Sequence, residues 1–224
     1  MPTNFPKAKA SLTLISKNYS SWALRGWLLC KLAGLDFVED IKTLDDPSIR
    51  AELLHLSPSF LVPKLTIDTV EAWGSWSIAE LLHELYPESG LLPQDPVARA
   101  HCRSISGEMM SGFANIRAAL PMNLKAKHSQ FKVWAGAKPD IQRICAIWRE
   151  CLKNYGGPYL FGTHPTVADA MYAPVCTRFH TYSVELDLVA DKYCKTILNW
   201  ALLQEWIQSA LTEPDELEEL DLEF

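Results

Sequence analysis

Apolar and polar positions along this chain follow two rhythms. Up to about residue 87, short β-rich runs alternate with helical ones. This predicts strands over 12–15 and 37–41 on either side of a helix over 21–33. After a polar stretch come strands over 62–67 and 70–73 around a tight turn at Asp68-Thr69, then a helix over 75–85. Leu24, Leu28, Leu32 and Leu35 recur at helical spacing, and Gly34 is a good stop. A strand–helix–strand unit followed by a hairpin and a helix gives a small mixed sheet with helices on both faces.

Beyond Pro96 the rhythm is helical throughout, over about 97–120, 129–155, 166–182 and 194–211. Its interruptions are Pro121, Pro139-Asp140 and Gly156-Gly157-Pro158. Between the halves, residues 88–96 are dense in turn formers and lack a long apolar face. The expected organisation is a sheet-containing domain over 1–87, a linker over 88–96, and an all-helical domain over 97–224.

At 224 residues, 48% hydrophobic and 21% charged, the chain has the composition of an ordinary globule. The net charge of −6 is local in origin. Of the 27 acids, seven (Glu213, Asp215, Glu216, Glu218, Glu219, Asp221 and Glu223) sit in the last stretch, leaving 20 against 21 bases elsewhere. That tail reads as a solvated terminus. With no basic stripe or basic helix face, neither nucleic acid nor membrane is an expected partner. No apolar run approaches the roughly 20 residues that span a bilayer, and residues 1–7 have no apolar signal core. Cys30, Cys102, Cys145, Cys151, Cys176 and Cys194 form no C-x-x-C pair or metal-ligand spacing. They read as reduced, mostly buried thiols of a cytoplasmic protein, with no metal expected.

Four local features could carry chemistry. Pro63 stands where a strand should begin, a place proline tolerates only at edges, first positions or bulges. A cis bond there, essentially a proline property, would turn the Val62 backbone outward toward an extended ligand; an ordinary edge strand is the simpler reading. Gly74-Ser75-Trp76-Ser77 opens a helix after a strand, where Ser75 or Ser77 is either an N-cap or the holder of a carboxylate. Asn18-Tyr19-Ser20-Ser21-Trp22 stands in the same position after the first strand, with capping again the alternative. Thr166-Val167-Ala168-Asp169 is a capping motif and is assigned to folding.

In this order, and with Gly162-x-x-x-Thr166-x-Ala168-Asp169 inside a helical second half, these pieces resemble the glutathione transferase superfamily over about residues 10–212. Asn18 to Arg25, Ser111-Gly112-Phe113 and Leu120-Pro121-Met122-Asn123 resemble a poorly characterised bacterial branch of it. The resemblance implies a thioredoxin-like N-terminal domain with a mixed four-stranded sheet and an all-helical C-terminal domain. It implies glutathione as co-substrate, contacted by Asn18, Trp22, Val62, Pro63, Gly74 and Ser75. Val62 would pair its backbone with the cysteinyl portion, as in β-augmentation, and Ser75 would hold the γ-glutamyl carboxylate. The family usually carries Glu or Asp before this serine. Gly74 removes that contact to the γ-glutamyl ammonium group.

Ser20 falls where cysteine-type bacterial members keep their cysteine, and Asn18 where other classes keep serine or cysteine. Ser20 or Ser21 would then donate to the glutathione sulfur. One hydroxyl to a charged acceptor contributes roughly 1.5–3 kcal/mol, and one pKa unit is about 1.4 kcal/mol, so one or two units of thiol acidification are within reach. Met110, Arg117 and Arg178 are candidates for a second-substrate pocket between the domains. The implied activity is conjugation of glutathione to a small electrophile in a cytoplasmic, detoxifying homodimer. A glutathione-dependent isomerase of an unsaturated acid is a variant of it. A non-catalytic glutathione-binding or interaction adaptor on the same fold is the alternative.

Overall fold

The structure is a computed structural model that describes residues 9–42, 47 and 62–214. Phe60-Leu61 ahead of Val62, the N-terminal residues 1–8 and the acidic residues 215–224 lie outside the described residues.

Four strands, β1 (Ala10–Leu14), β2 (Val38–Ile41), β3 (Lys64–Ile67) and β4 (Val70–Trp73), form one sheet in the order β2-β1-β3-β4. β2 lies parallel to β1, whereas β3 and β4 run antiparallel to their neighbours. A parallel pair needs a crossover, and α1 (Ser21–Leu32) supplies it. The register sets Leu12 against Leu65 and Leu65 against Ala72, one buried row across the three strands. The Asp68-Thr69 turn holds Asp68 at φ 51°, a left-handed conformation that aspartate tolerates. Helix α2 (Ser75–Leu85) follows β4 and packs on α1.

The helical half comprises α3 (Pro96–Ser111), α4 (Ala114–Ala119), α5 (Lys138–Tyr155), α6 (Val167–Thr181), α7 (Leu188–Leu198) and α8 (Ala201–Leu211). Three expected spans are corrected. The span 97–120 breaks at Gly112-Phe113, where Phe113 takes φ 60° and stops the ladder. Residues 129–134 form no regular helix, a 3-10 turn covers Ala135–Ala137, and α5 starts at Lys138 with Pro139 in its first turn. The span 194–211 is two helices, because Asn199-Trp200 interrupts it. The first of them begins earlier, capped by Asp187 and opened by the exposed Leu188, which masked its apolar period.

Helix α6 is buried along almost its whole length and is the axis of this half. Its start is a full capping box between Thr166 and Asp169. The Asp169 carboxylate, fully buried, also accepts from the Leu160 N–H and the Tyr193 hydroxyl, each at 3.0 Å. The motif therefore organises the helical core, as expected for a folding element.

Helix α1 is wedged between the two halves, packing on α2 on one side and on α6 on the other. Its approach to the β3 entrance depends on Gly26: a Cβ there would stand 2.6 Å from the Pro63 ring carbons. The ring cannot swing away as a flexible side chain would. Gly26→Ala should therefore lower stability by about 1–3 kcal/mol, the usual cost of overpacking. An unchanged denaturant midpoint would show that the contact is slack.

Candidate active site

A cavity of about 360 Å3 opens where the starts of α1 and α2 and the β3 entrance face the α3–α4 junction. Trp22, Val62, Gly74, Ser75, Met110, Ser111, Gly112, Ala114 and Arg117 line it. The structure thus brings six of the sequence candidates together: Trp22, Val62, Gly74, Ser75, Met110 and Arg117. The Val62-Pro63 bond is cis. Pro63 is buried behind the lining, on the Gly26 side.

Ser75 is the first residue of α2 and has no exposed surface, yet its Oγ meets no hydrogen-bond partner. Helix starts leave unpaired N–H groups, so hydroxyl and backbone donors converge at one edge of the cavity. Gly74, just before it, sits at φ 79° and ψ 140°. A side chain would find open space there but an unfavourable backbone.

Ser20, Ser21, Asn18 and Arg178, also candidates from the sequence, are buried and do not line the cavity. Ser20 caps α1, its Oγ accepting from the Ala23 N–H at 3.1 Å. Ser21 Oγ accepts from Arg178 Nη2 at 3.2 Å. Each hydroxyl keeps its own proton to donate. Asn18 is fully buried; its Oδ1 accepts from the N–H groups of Leu124 (2.7 Å) and Lys125 (3.0 Å), while its Nδ2 has no partner. Arg178 also donates to the Leu120 carbonyl, tying α6 to the end of α4.

Three arginines set the charge of this region, and Asp140 acts on one of them, Arg117. Arg25, Arg117 and Arg178 gather behind and beside Trp22, whose ring has the Arg25 guanidinium at 4.8 Å and that of Arg117 at 5.0 Å. Burial, then repulsion from Arg117 and Arg178, pushes Arg25 well below its ordinary value. Burial lowers Arg117 as well, and Arg178 is pushed down to about 9 by burial and by Arg117. Their hydrogen bonds run largely to carbonyls: Arg25 Nε to Met171 O at 2.9 Å, and Arg117 to the carbonyls of Met109, Met110 and Gly112. Arg25 Nη1 is unpartnered. Among the described residues no acid lines the cavity. Such a site favours anions.

The six cysteines are free and buried, and burial raises the thiols of Cys30, Cys102, Cys145, Cys151 and Cys176. None lines the cavity. Among the described residues no cluster of His, Cys, Asp and Glu could hold a metal ion.

Sequence reasoning missed two contributors. Arg25, inside the apolar run of α1, is 1% exposed and the signal was there: a cation in the middle of an otherwise apolar stretch of helix. Glu213, read as part of a solvated tail, instead bonds to residues 16–18. Nothing local in the sequence marks it.

Comparison with known proteins follows the same geometry. Residues 19–85 match the family description "Glutathione S-transferase, N-terminal domain" and residues 131–208 the corresponding C-terminal domain. A maleylacetoacetate isomerase of Rattus norvegicus is 30% identical over 169 residues, covering 74% of this chain and 76% of the relative. A probable maleylacetoacetate isomerase of Caenorhabditis elegans is 29% identical over 173 residues, 74% and 77% of the two chains. Among solved structures, a glutathione transferase homologue from Burkholderia gl BGR1 with bound glutathione superposes with a TM-score of 0.69 at 20% identity, covering 92% of this chain and 100% of that one. The maleylacetoacetate isomerase of Anaeromyxobacter dehalogenans 2CP-1, also with bound glutathione, gives 0.67 at 21% identity, covering 94% and 99%.

The unpartnered Ser75 hydroxyl makes a stability prediction. Removing a buried group that lacks a partner should cost the free protein nothing, and relief of up to about 1–3 kcal/mol is available. Ser20→Ala instead deletes an N-cap and should cost about 0.5–2 kcal/mol. Thermal unfolding of the two variants should therefore move in opposite directions, or Ser75→Ala not at all. A clear loss in Ser75→Ala would mean that its hydroxyl is already satisfied within the protein.

Proposed function

The chain belongs to the glutathione transferase superfamily, and from that premise we propose that it binds glutathione in this cavity and conjugates it to a small electrophile. The observation that carries this reading is Ser75 Oγ, buried against the cavity with no protein partner. A ligand carboxylate at the α2 start would complete it, and would also meet free helix N–H groups. Val62 would offer backbone pairing to an extended peptide beside Gly74 and Trp22, with Pro63 and Asn18, which do not line the cavity, supporting that wall from within. Bound there, glutathione supplies the nucleophilic sulfur. Ser20 or Ser21 would hold that sulfur as thiolate by donating a hydrogen bond to it, and the arginine cluster would add a favourable field. Met110, Arg117 and, from behind, Arg178 would border the second substrate.

The arginines favour a second reading at the same site, glutathione-dependent isomerisation of an unsaturated acid. Relatives named maleylacetoacetate isomerase support it. The wider proposal is a cytoplasmic, detoxifying homodimer with its domains divided at 1–87, 88–96 and 97–224. The edge strand β4, with Val70 48% and Trp73 54% exposed, is compatible with a partner copy. No helix among the described residues is long and apolar enough to cross a membrane.

Glutathione at 100 times its dissociation constant should stabilise the protein by about 2.7 kcal/mol. No thermal shift at millimolar glutathione would sink the reading and leave the adaptor. Turnover of an aryl halide should fall roughly 10- to 150-fold in Ser20→Ala or Ser21→Ala, whichever hydroxyl meets sulfur. For the isomerase reading, maleate should raise the melting temperature beyond chloride at matched ionic strength, and Arg117→Met should abolish the difference. Equal effects of the two salts would exclude a carboxylate subsite.

A further inference from the structure

The loop joining β1 to α1 is buried from Ser16 to Ser20. Buried loops are unusual, because each backbone N–H removed from water needs an internal partner. Here the accounting closes on one distant side chain. Glu213, two residues beyond the end of α8, accepts from Ser16 Oγ at 2.6 Å, from the Lys17 N–H at 2.8 Å and from the Asn18 N–H at 2.9 Å. The next two donors are local: Tyr19 N–H to Ser16 Oγ and Ser20 N–H to the Ser16 carbonyl. Thus the hydroxyl that Glu213 orients itself receives the Tyr19 amide.

The contact is part of a ring. Asn18 Oδ1 accepts from the Lys125 N–H, and Lys125 Nζ donates to the Glu213 carbonyl, returning to the residue that holds the Asn18 N–H. Alongside it, Trp206 Nε1 of α8 donates to the Lys17 carbonyl at 3.0 Å, and Lys17 Nζ donates to Ser209. Three stretches far apart in sequence, the β1–α1 loop, the segment after α4 and the residue following α8, are locked together two residues from Ser20.

We infer that Glu213 is a positioning residue, a carboxylate clamp that sets the β1–α1 loop so that the Ser20 and Ser21 hydroxyls face the bound thiol. This inference rests on the glutathione reading for its catalytic consequence. Any freedom at residues 17 and 18 passes directly to Ser20. A displacement of about 1 Å at reacting groups can cost on the order of a hundredfold in rate. The carboxylate holds two successive backbone amides and a hydroxyl at once. A carboxamide at 213 could reproduce that pattern only in part, since its nitrogen is a donor.

The test uses the full-length chain, with Glu213→Gln, Ser20→Ala, Ser21→Ala and the double variants compared for kcat and KM with glutathione and an aryl halide. Glu213→Gln should lose about tenfold or more in kcat, with the KM for glutathione changed by less than about threefold. In the serine background that itself loses rate, adding Glu213→Gln should cost little more, because both act through one hydroxyl. Equal losses in both backgrounds, or full kcat in a folded Glu213→Gln, would overturn the inference. Should Glu213→Gln fail to fold, Lys125→Met leaves the carboxylate in place but opens the ring. A kcat loss of about threefold is then expected, and an unchanged kcat overturns the inference. A wild-type chain without turnover would defeat the functional reading alone. Amide exchange still tests the clamp: the Lys17 and Asn18 amides should exchange at least about tenfold faster in Glu213→Gln, and unchanged protection would end the proposal.

Discussion

Helix α1 has almost no solvent face, and that constraint organises the molecule. Its residues from Ala23 to Cys30 are all buried, between the sheet and α2 on one side and α6 on the other. A helix apolar on all sides must be enclosed, so the two halves cannot separate without exposing it. The same enclosure fixes the cavity, whose walls come from the N-terminal end of α1, the start of α2 and the α3–α4 junction. Gly26 sets how closely α1 approaches Pro63, Arg25 anchors it to the Met171 carbonyl, and Trp27 meets Trp206 of α8 with ring centroids 5.4 Å apart. Site geometry and interdomain packing are one problem here.

Enclosure also creates the polar demands that give the site its character. Arg25 and Arg178 are driven inside with α1 and α6, where carbonyls and one serine hydroxyl accept from them without neutralising them. Removing a charge from water is expensive unless paired. Positive charge left beside a cavity whose described lining carries no acid therefore favours an anion that enters, whether a carboxylate or a thiolate. The same logic explains why the β1–α1 loop, forced under α8, recruits a carboxylate from the far end of the chain.

Much of this was readable where the signal is local. Gly34 ends α1, Ser20 caps it, and the β-formers on either side of Asp68-Thr69 make the hairpin. Val62, Ser75 and Trp22 stand at element ends, where ligand contacts concentrate, and the fold brings all three to one cavity. What was not readable depends on contacts distant in sequence. Glu213 lies 197 residues from Ser16, inside an acid-rich run whose ordinary fate is solvation. The break at Phe113 comes from a left-handed non-glycine residue with Arg117 covering the loose carbonyls, a conformation that composition does not encode. Leu188, 88% exposed at the start of α7, hid that helix by placing an apolar residue on its wet side.

Gly74 draws these strands together. The resemblance leads one to expect an acid before the α2 serine, where it would meet an ammonium group of the ligand. The observed φ of 79° and ψ of 140° belong to a region that costs a residue with a side chain roughly 1–3 kcal/mol. Glycine removes that strain and also removes a negative charge from the cavity wall. An acid near a thiolate raises the thiol's pKa, whereas its absence from position 74 leaves the arginine field less opposed. On the proposed reading the glycine therefore exchanges affinity at the ligand's ammonium end for a better environment at its anionic groups. On that same reading, in which a serine hydroxyl, a modest donor, holds the thiolate, the exchange acts in the direction the chemistry requires.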